Sequence, residues 1–94
     1  MLKFPNASNI HWSLERDEAV LTIEQDGHPI HCRVTLEALE EYAGGAKIED
    51  GLSAAQDYLI KFEDDVAVLV AAGRFEPDGS VLLRASDVQR MRPR

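Results

Sequence analysis

The sequence predicts an α+β fold: an antiparallel sheet built from two β-hairpins, packed on one long helix, with one short helix in addition. Three observations carry that expectation. Residues 51–73 repeat apolar side chains at helical spacing. Residues 18–35 alternate apolar and polar on both sides of an Asp-Gly turn, and residues 75–81 set Pro77 and Gly79 between apolar ends.

At the N-terminus, Leu2 and Phe4 flank Lys3 ahead of Pro5, the pattern of a very short edge strand that the proline stops. Residues 6–9 read as loop. Trp12 and Leu14, in an otherwise polar stretch, are expected to cover one edge of the core. The runs EAVLTIEQ and HPIHCRVT then flank Asp26-Gly27, the signature of a two-residue type I′ turn. Pairing Gln25 with His28 sets Ile23 opposite Ile30, Leu21 opposite Cys32 and Ala19 opposite Val34, all on one face. The other face receives Val20 with Arg33, Thr22 with His31 and Glu24 with Pro29. Pro29 falls in a non-hydrogen-bonded pair, which predicts no neighbouring strand beside that end.

Thr35 is placed to cap a short helix, LEALEEYA, with Leu36, Leu39 and Tyr42 or Ala43 buried, Glu37, Glu40 and Glu41 wet, and Gly44-Gly45 ending it. Ile48 anchors the connection that follows. In the long helix, Leu52, Ala55, Leu59, Phe62, Val66 and Leu69, with Tyr58 and Val70, lie within about 120° of arc. Asp57, Lys61, Asp64 and Asp65 take the opposite side, where Lys61 stands four residues from both Asp57 and Asp65. Asp50 or Ser53 can cap its start, and Gly73 supplies its end. Beyond it, Phe75 is expected opposite Val81 in a second hairpin, with Leu82 and Arg84 pointing away from Val81, Leu83 and Ala85. Ser86-Asp87 then turns the chain outward, giving a single domain over residues 1–88 and a basic tail over residues 89–94.

Ninety-four residues suffice for one modest core, and apolar and charged shares of 45% and 29% are those of a globular chain. The sequence has no apolar run of membrane-spanning or signal-peptide length, so a soluble cytoplasmic protein is expected, with no membrane partner. The single Cys32 excludes an internal disulfide and sits where a small buried hydrophobe belongs. Formal net charge is −7, but the last six residues hold three arginines and no acid, leaving seven basic groups against 17 acids, a balance of −10, in residues 1–88. Such a body repels phosphate backbones, so nucleic acid is not expected as a partner except through Arg90, Arg92 and Arg94.

No phosphate-binding glycine loop, metal-binding helical His pair or nucleophile elbow is present. His28 and His31, three apart on a strand, point to opposite faces, and His11 belongs to a separate loop. The acids stand at helical spacing without a looped oxygen cage, and none interrupts an apolar stripe. No catalytic residue, cofactor or metal is therefore assigned.

Phe4, Pro5 and Asn6, then Trp12, Arg16, Ala19-Val20, Asp26-Gly27, Cys32, Ala38-Leu39, and a later helix ending before Asp78-Gly79 and Ser86-Asp87, follow one another over nearly the whole chain. In this order they resemble the small bacterial family known as domain of unknown function 1488 (DUF1488). The resemblance implies a compact, cytoplasmic, bacterial α+β protein with no assigned activity, and it brings no catalytic residues with it.

The functional expectation is a small acidic binding or adaptor module without catalysis; the rival is a nucleic-acid-linked regulator working through the basic tail. Strand parity gathers Val20, Thr22, His31 and Arg33 on the sheet face that one helix cannot cover, with Arg84 extending the group. This open cationic patch would suit an acidic protein partner, since arginine offers a forked donor and histidine gains charge as pH falls. Ile60, Ala67 and Val68 lie off the buried helical stripe, and Ile60 and Val68 are candidates for a homodimer contact.

Overall fold

In the computed structural model, which describes residues 1–91, five strands form one mixed sheet and four helices accompany it. Strands β1 (Leu2–Lys3) and β2 (His11–Ser13) both pair antiparallel with β3 (Glu18–Gln25), at opposite ends of it. Strand β3 pairs with β4 (His28–Thr35) through Asp26 and Gly27, both at positive φ as a type I′ turn requires. The register is the one the alternation dictates: Gln25 faces His28, Leu21 faces Cys32, Ala19 faces Val34 and Glu24 faces Pro29. A one-residue slip would carry Leu21, Ile23, Cys32 and Val34, all in the core, to the other face.

Helix α1 (Leu36–Tyr42) starts where Thr35 Oγ1 accepts from the Ala38 N–H at 3.0 Å. It buries Ala38, Leu39 and Tyr42, while Leu36 is only half-buried. The single long helix expected over residues 51–73 is instead two, α2 (Gly51–Asp57) and α3 (Leu59–Ala71), with Tyr58 at φ −96° and ψ 6° between them. Hydrogen bonds continue on both sides of this bend, from Tyr58 N to Ala54 O and from Phe62 N to Tyr58 O. A straight run of 23 residues would extend about 34 Å at 1.5 Å per residue. That is nearly the longest dimension of the molecule, 35 Å. Bending lets α2 lie against β2 and β3 while α3 lies against β5. Asp50, rather than Ser53, is the cap: its carboxylate accepts from both the Ser53 N–H and hydroxyl at 3.0 Å.

The second hairpin is a further correction. Gly79 N reaches Glu76 O and Glu76 N reaches Ser80 O, both at 2.8 Å, so the turn forms, but Phe75 remains exposed and joins no strand. Strand β5 (Val81–Leu83) pairs parallel with β4, Cys32 with Val81 and Val34 with Leu83. A hairpin would have offered Val81 one apolar neighbour, whereas the free edge of β4 buries Val81 and Leu83 completely. Residues 36–80 thereby become one long crossover between parallel strands. Strand β5 stops short of Pro29, in keeping with the missing N–H there.

The expected boundary at residue 88 falls inside a fourth helix, α4 (Ala85–Met91). Asp87 Oδ2 reaches back to the Arg84 N–H at 2.9 Å, the return half of a capping box, and Val88 is fully buried. Residues 89–91 belong to this helix. Trp12 packs at the edge of the core as expected, but Leu14 is 86% exposed, because the turn before β3 carries it outward.

Candidate functional site

The outward row of the sheet runs across four strands: His11 on β2, Val20 on β3, Arg33 on β4 and Leu82 on β5. Glu18, Thr22 and Glu24 share this face with Val20 by parity, as His31 does with Arg33. Among the described residues no helix covers it, but it is not flat. The turn between β2 and β3 rises on one side with Ser13, Glu15 and Arg16, and the loop before β5 brings up Asp78 and Ser80. Between them lies a hollow of about 340 Å³ floored by Glu18, Val20, His31 and Arg33. A second hollow of about 360 Å³ shares Val20 and His31 and continues to Thr22, His11 and Asn9.

The floor of the first hollow holds an ion pair. Arg33 Nη1 lies 3.5 Å from Glu18 Oε1, and the two side chains retain only 18% and 10% of their exposure. Among the described residues, Glu18 Oε1 and Arg33 Nε are buried without a hydrogen-bond partner. On the rim, the Ser80 hydroxyl and backbone N–H lie 2.6 and 2.9 Å from Asp78 Oδ1 and hold that carboxyl below its ordinary range, with the charge of Arg33 adding to the effect.

Of the residues expected to form a cationic patch, Thr22 and His31 are exposed on this face as parity requires. Arg33 is there too, but half-buried and countered by Glu18, so the patch is a hollow of mixed sign. Arg84 does not join it: it precedes α4 and donates to Glu76 Oε1 at 3.0 Å. His11, expected in a loop apart from the other histidines, is instead paired beside Val20 and lines the second hollow together with His31. Glu18 escaped the sequence reading. Its place two residues before Val20, diagonal to Arg33, signals a same-face ionic contact, but its burial depends on loops distant in sequence.

Elsewhere, Ile60 and Val68 stand 78% and 54% exposed on α3. Arg90 is exposed on α4, while Arg92 and Arg94 lie outside the described residues. Cys32 is buried, and burial pushes its thiol up to about 12, out of reach of thiolate chemistry at neutral pH. Tyr42 hydrogen-bonds to Asp65 and stacks on Tyr58, with ring centroids 6.0 Å apart, and Lys61 Nζ sits 5.5 Å over the Tyr58 ring. This cluster ties α1 to the bend between α2 and α3. Among the described residues, no group of three or more His, Cys, Asp or Glu is placed to hold a metal ion, and no helix is long and apolar enough to cross a membrane.

Neither a family model nor a curated protein matches the sequence. A solved structure does match: a protein of unknown function from the DUF1488 family of Shewanella loihica PV-4, 21% identical, with a TM-score of 0.75 over 87% of this chain and 90% of that one. At this identity the likeness speaks for the fold. The chain resembles DUF1488 in its architecture, as the order of its sequence motifs implied.

Proposed function

We propose that this protein is a non-catalytic binding module that takes its ligand in the outer-face hollow between the β2–β3 turn and the loop before β5. One observation carries the reading: an ion pair, Glu18 with Arg33, largely removed from water, in which Glu18 Oε1 and Arg33 Nε find no hydrogen-bond partner among the described residues. Burying a carboxylate and a guanidinium costs several kcal/mol each by typical magnitudes, and their attraction repays this only with good geometry and further hydrogen bonds. A ligand supplies those bonds where the protein does not. The walls support the same reading, since polar groups from three separate segments converge on one concavity. A bacterial cytoplasm is the proposed setting, supported by the lone buried thiol and by a bacterial neighbour of like fold.

The test is a screen of polar metabolites and short acidic peptides against the isotope-labelled chain, followed by amide resonances. Saturable shifts should cluster at Ser13, Glu18, Val20, Arg33 and Ser80. Shifts confined to α3 or α4, or none with any compound, would overturn the reading.

A further inference from the structure

The chemistry of the hollow narrows its ligand. Its lining carries three carboxylates, Glu15, Glu18 and Asp78, against two guanidiniums, Arg16 and Arg33, with His31 beside them. A simple anion placed on Arg33 would meet Glu18 at once, within a body of strongly negative charge. A simple cation placed on Glu18 would meet Arg33. A ligand bearing both signs answers both partners, and its zero net charge spares it the general repulsion. The spacing sets how close the two charges must be. Glu18 Oε1 and Arg33 Nη1 are 3.5 Å apart, so a matching ammonium and carboxylate must be near neighbours.

We infer that the hollow binds a free α-amino acid, its ammonium donating to the Glu18 carboxylate and its carboxylate accepting from the Arg33 guanidinium. An α-amino acid joins its two charged groups through a single carbon, which matches the span of the pair. Peptides separate the same groups by at least one residue and do not match it. The side chain extends past Val20 toward Thr22 and His31, where the second hollow begins and no carboxylate lines the wall, so uncharged side chains fit best. The volume, about 340 Å³, is at the small end of ligand sites and suits a compact molecule. Each contact would be a charge-assisted hydrogen bond in a partly desolvated site, the kind that distinguishes ligands by its presence or loss.

This inference rests on the binding-module reading, and its test separates the two. The full chain is titrated with L-alanine, L-valine and L-glutamine, and then with the primary amide and the N-acetyl derivative of whichever binds best. The free amino acid should move the amides of Glu18, Val20 and Arg33 saturably, and each derivative should bind at least about tenfold more weakly, because each removes one charge-assisted contact. Glu18→Gln should weaken the free amino acid by a similar factor, with a circular-dichroism melt confirming the fold; the derivatives test the same contacts without any substitution. Equal binding by either derivative, or by the dipeptide Ala-Ala, refutes the zwitterion assignment. If no amino acid binds while another compound still shifts these amides, this inference fails and the module reading survives. If nothing shifts them, both fall.

Discussion

Gly51→Ala sets sequence and structure against each other. By propensity, alanine should stabilise the first turn of α2 by up to about 1 kcal/mol. In the structure, a Cβ at position 51 would lie 2.4 Å from both Cη2 and Cζ2 of Trp12 and 2.7 Å from Cε2. No carbon pair tolerates such an approach, and the obstacle is a rigid ring packed against the core. Either the indole leaves its seat or α2 shifts away from β2. Overpacking of this kind costs about 1–3 kcal/mol, and the propensity gain offsets up to about 1 kcal/mol of it, leaving a net loss of up to about 2 kcal/mol. For a domain of this size that lowers Tm by up to about 16 °C. Trp12 is the only tryptophan, so its fluorescence reports both the urea transition and the exposure of the displaced ring. In a double-mutant cycle, Trp12→Phe should absorb part of the penalty, since the smaller ring leaves room for the methyl. A Gly51→Ala protein as stable as the parent, with unshifted emission, would refute the argument.

Four further outcomes are expected. Cys32 keeps its proton in the folded state up to about pH 12, whereas an unfolded thiol releases it near 9, so the unfolded state binds fewer protons above pH 9 and stability falls as pH rises, by up to ~1.4 kcal/mol per unit. Subtracting the urea stabilities of Cys32→Ala from those of the parent between pH 8 and 10 isolates that slope, and thiol reagents should label the native protein only slowly. Asp87→Ala removes the acceptor for the Arg84 N–H and should cost about 1–2 kcal/mol in urea unfolding, because α4 loses its cap. Arg33→Met strands Glu18 in its buried site and should cost about 3 kcal/mol, whereas Glu18→Leu with Arg33→Met should come within about 1 kcal/mol of the parent or exceed it. If the exposed residues of α3 form a homodimer contact, sedimentation velocity will show a dimer that Ile60→Lys with Val68→Glu abolishes; a dimer that survives both changes lies elsewhere.

The parts of the fold legible in the sequence are those whose partners lie close in the chain. The β3–β4 register follows from one turn and its alternating flanks, and the cap at Thr35 from a hydroxyl three residues before the N–H it serves. The parallel pairing of β5 was not legible, because Val81 meets Cys32 across nearly fifty residues and competes with a local turn that does form. The bend at Tyr58 was hidden for a related reason. The apolar stripe continues in phase through it, and only the separate seats of α2 and α3 call for a change of direction. Helix α4 did carry a signal, an acid three residues after Arg84 with Val88 and Met91 on one side, but three arginines at the end obscured it.

The candidate site shows the same division in sharper form. Strand parity alone puts Thr22, His31 and Arg33 on one face, so the location was legible. The character of the site was not, since a charge on an open sheet and a charge on the floor of a hollow have the same local sequence. What converts one into the other is the β2–β3 turn on one side and the Asp78–Ser80 segment on the other, joined only through the parallel placement of β5. Had residues 75–83 paired as a hairpin, Asp78 and Ser80 would have been carried away from Arg33 and the ion pair left to water, where it would be screened and weak. The crossover that escaped the sequence reading is therefore also what encloses the site.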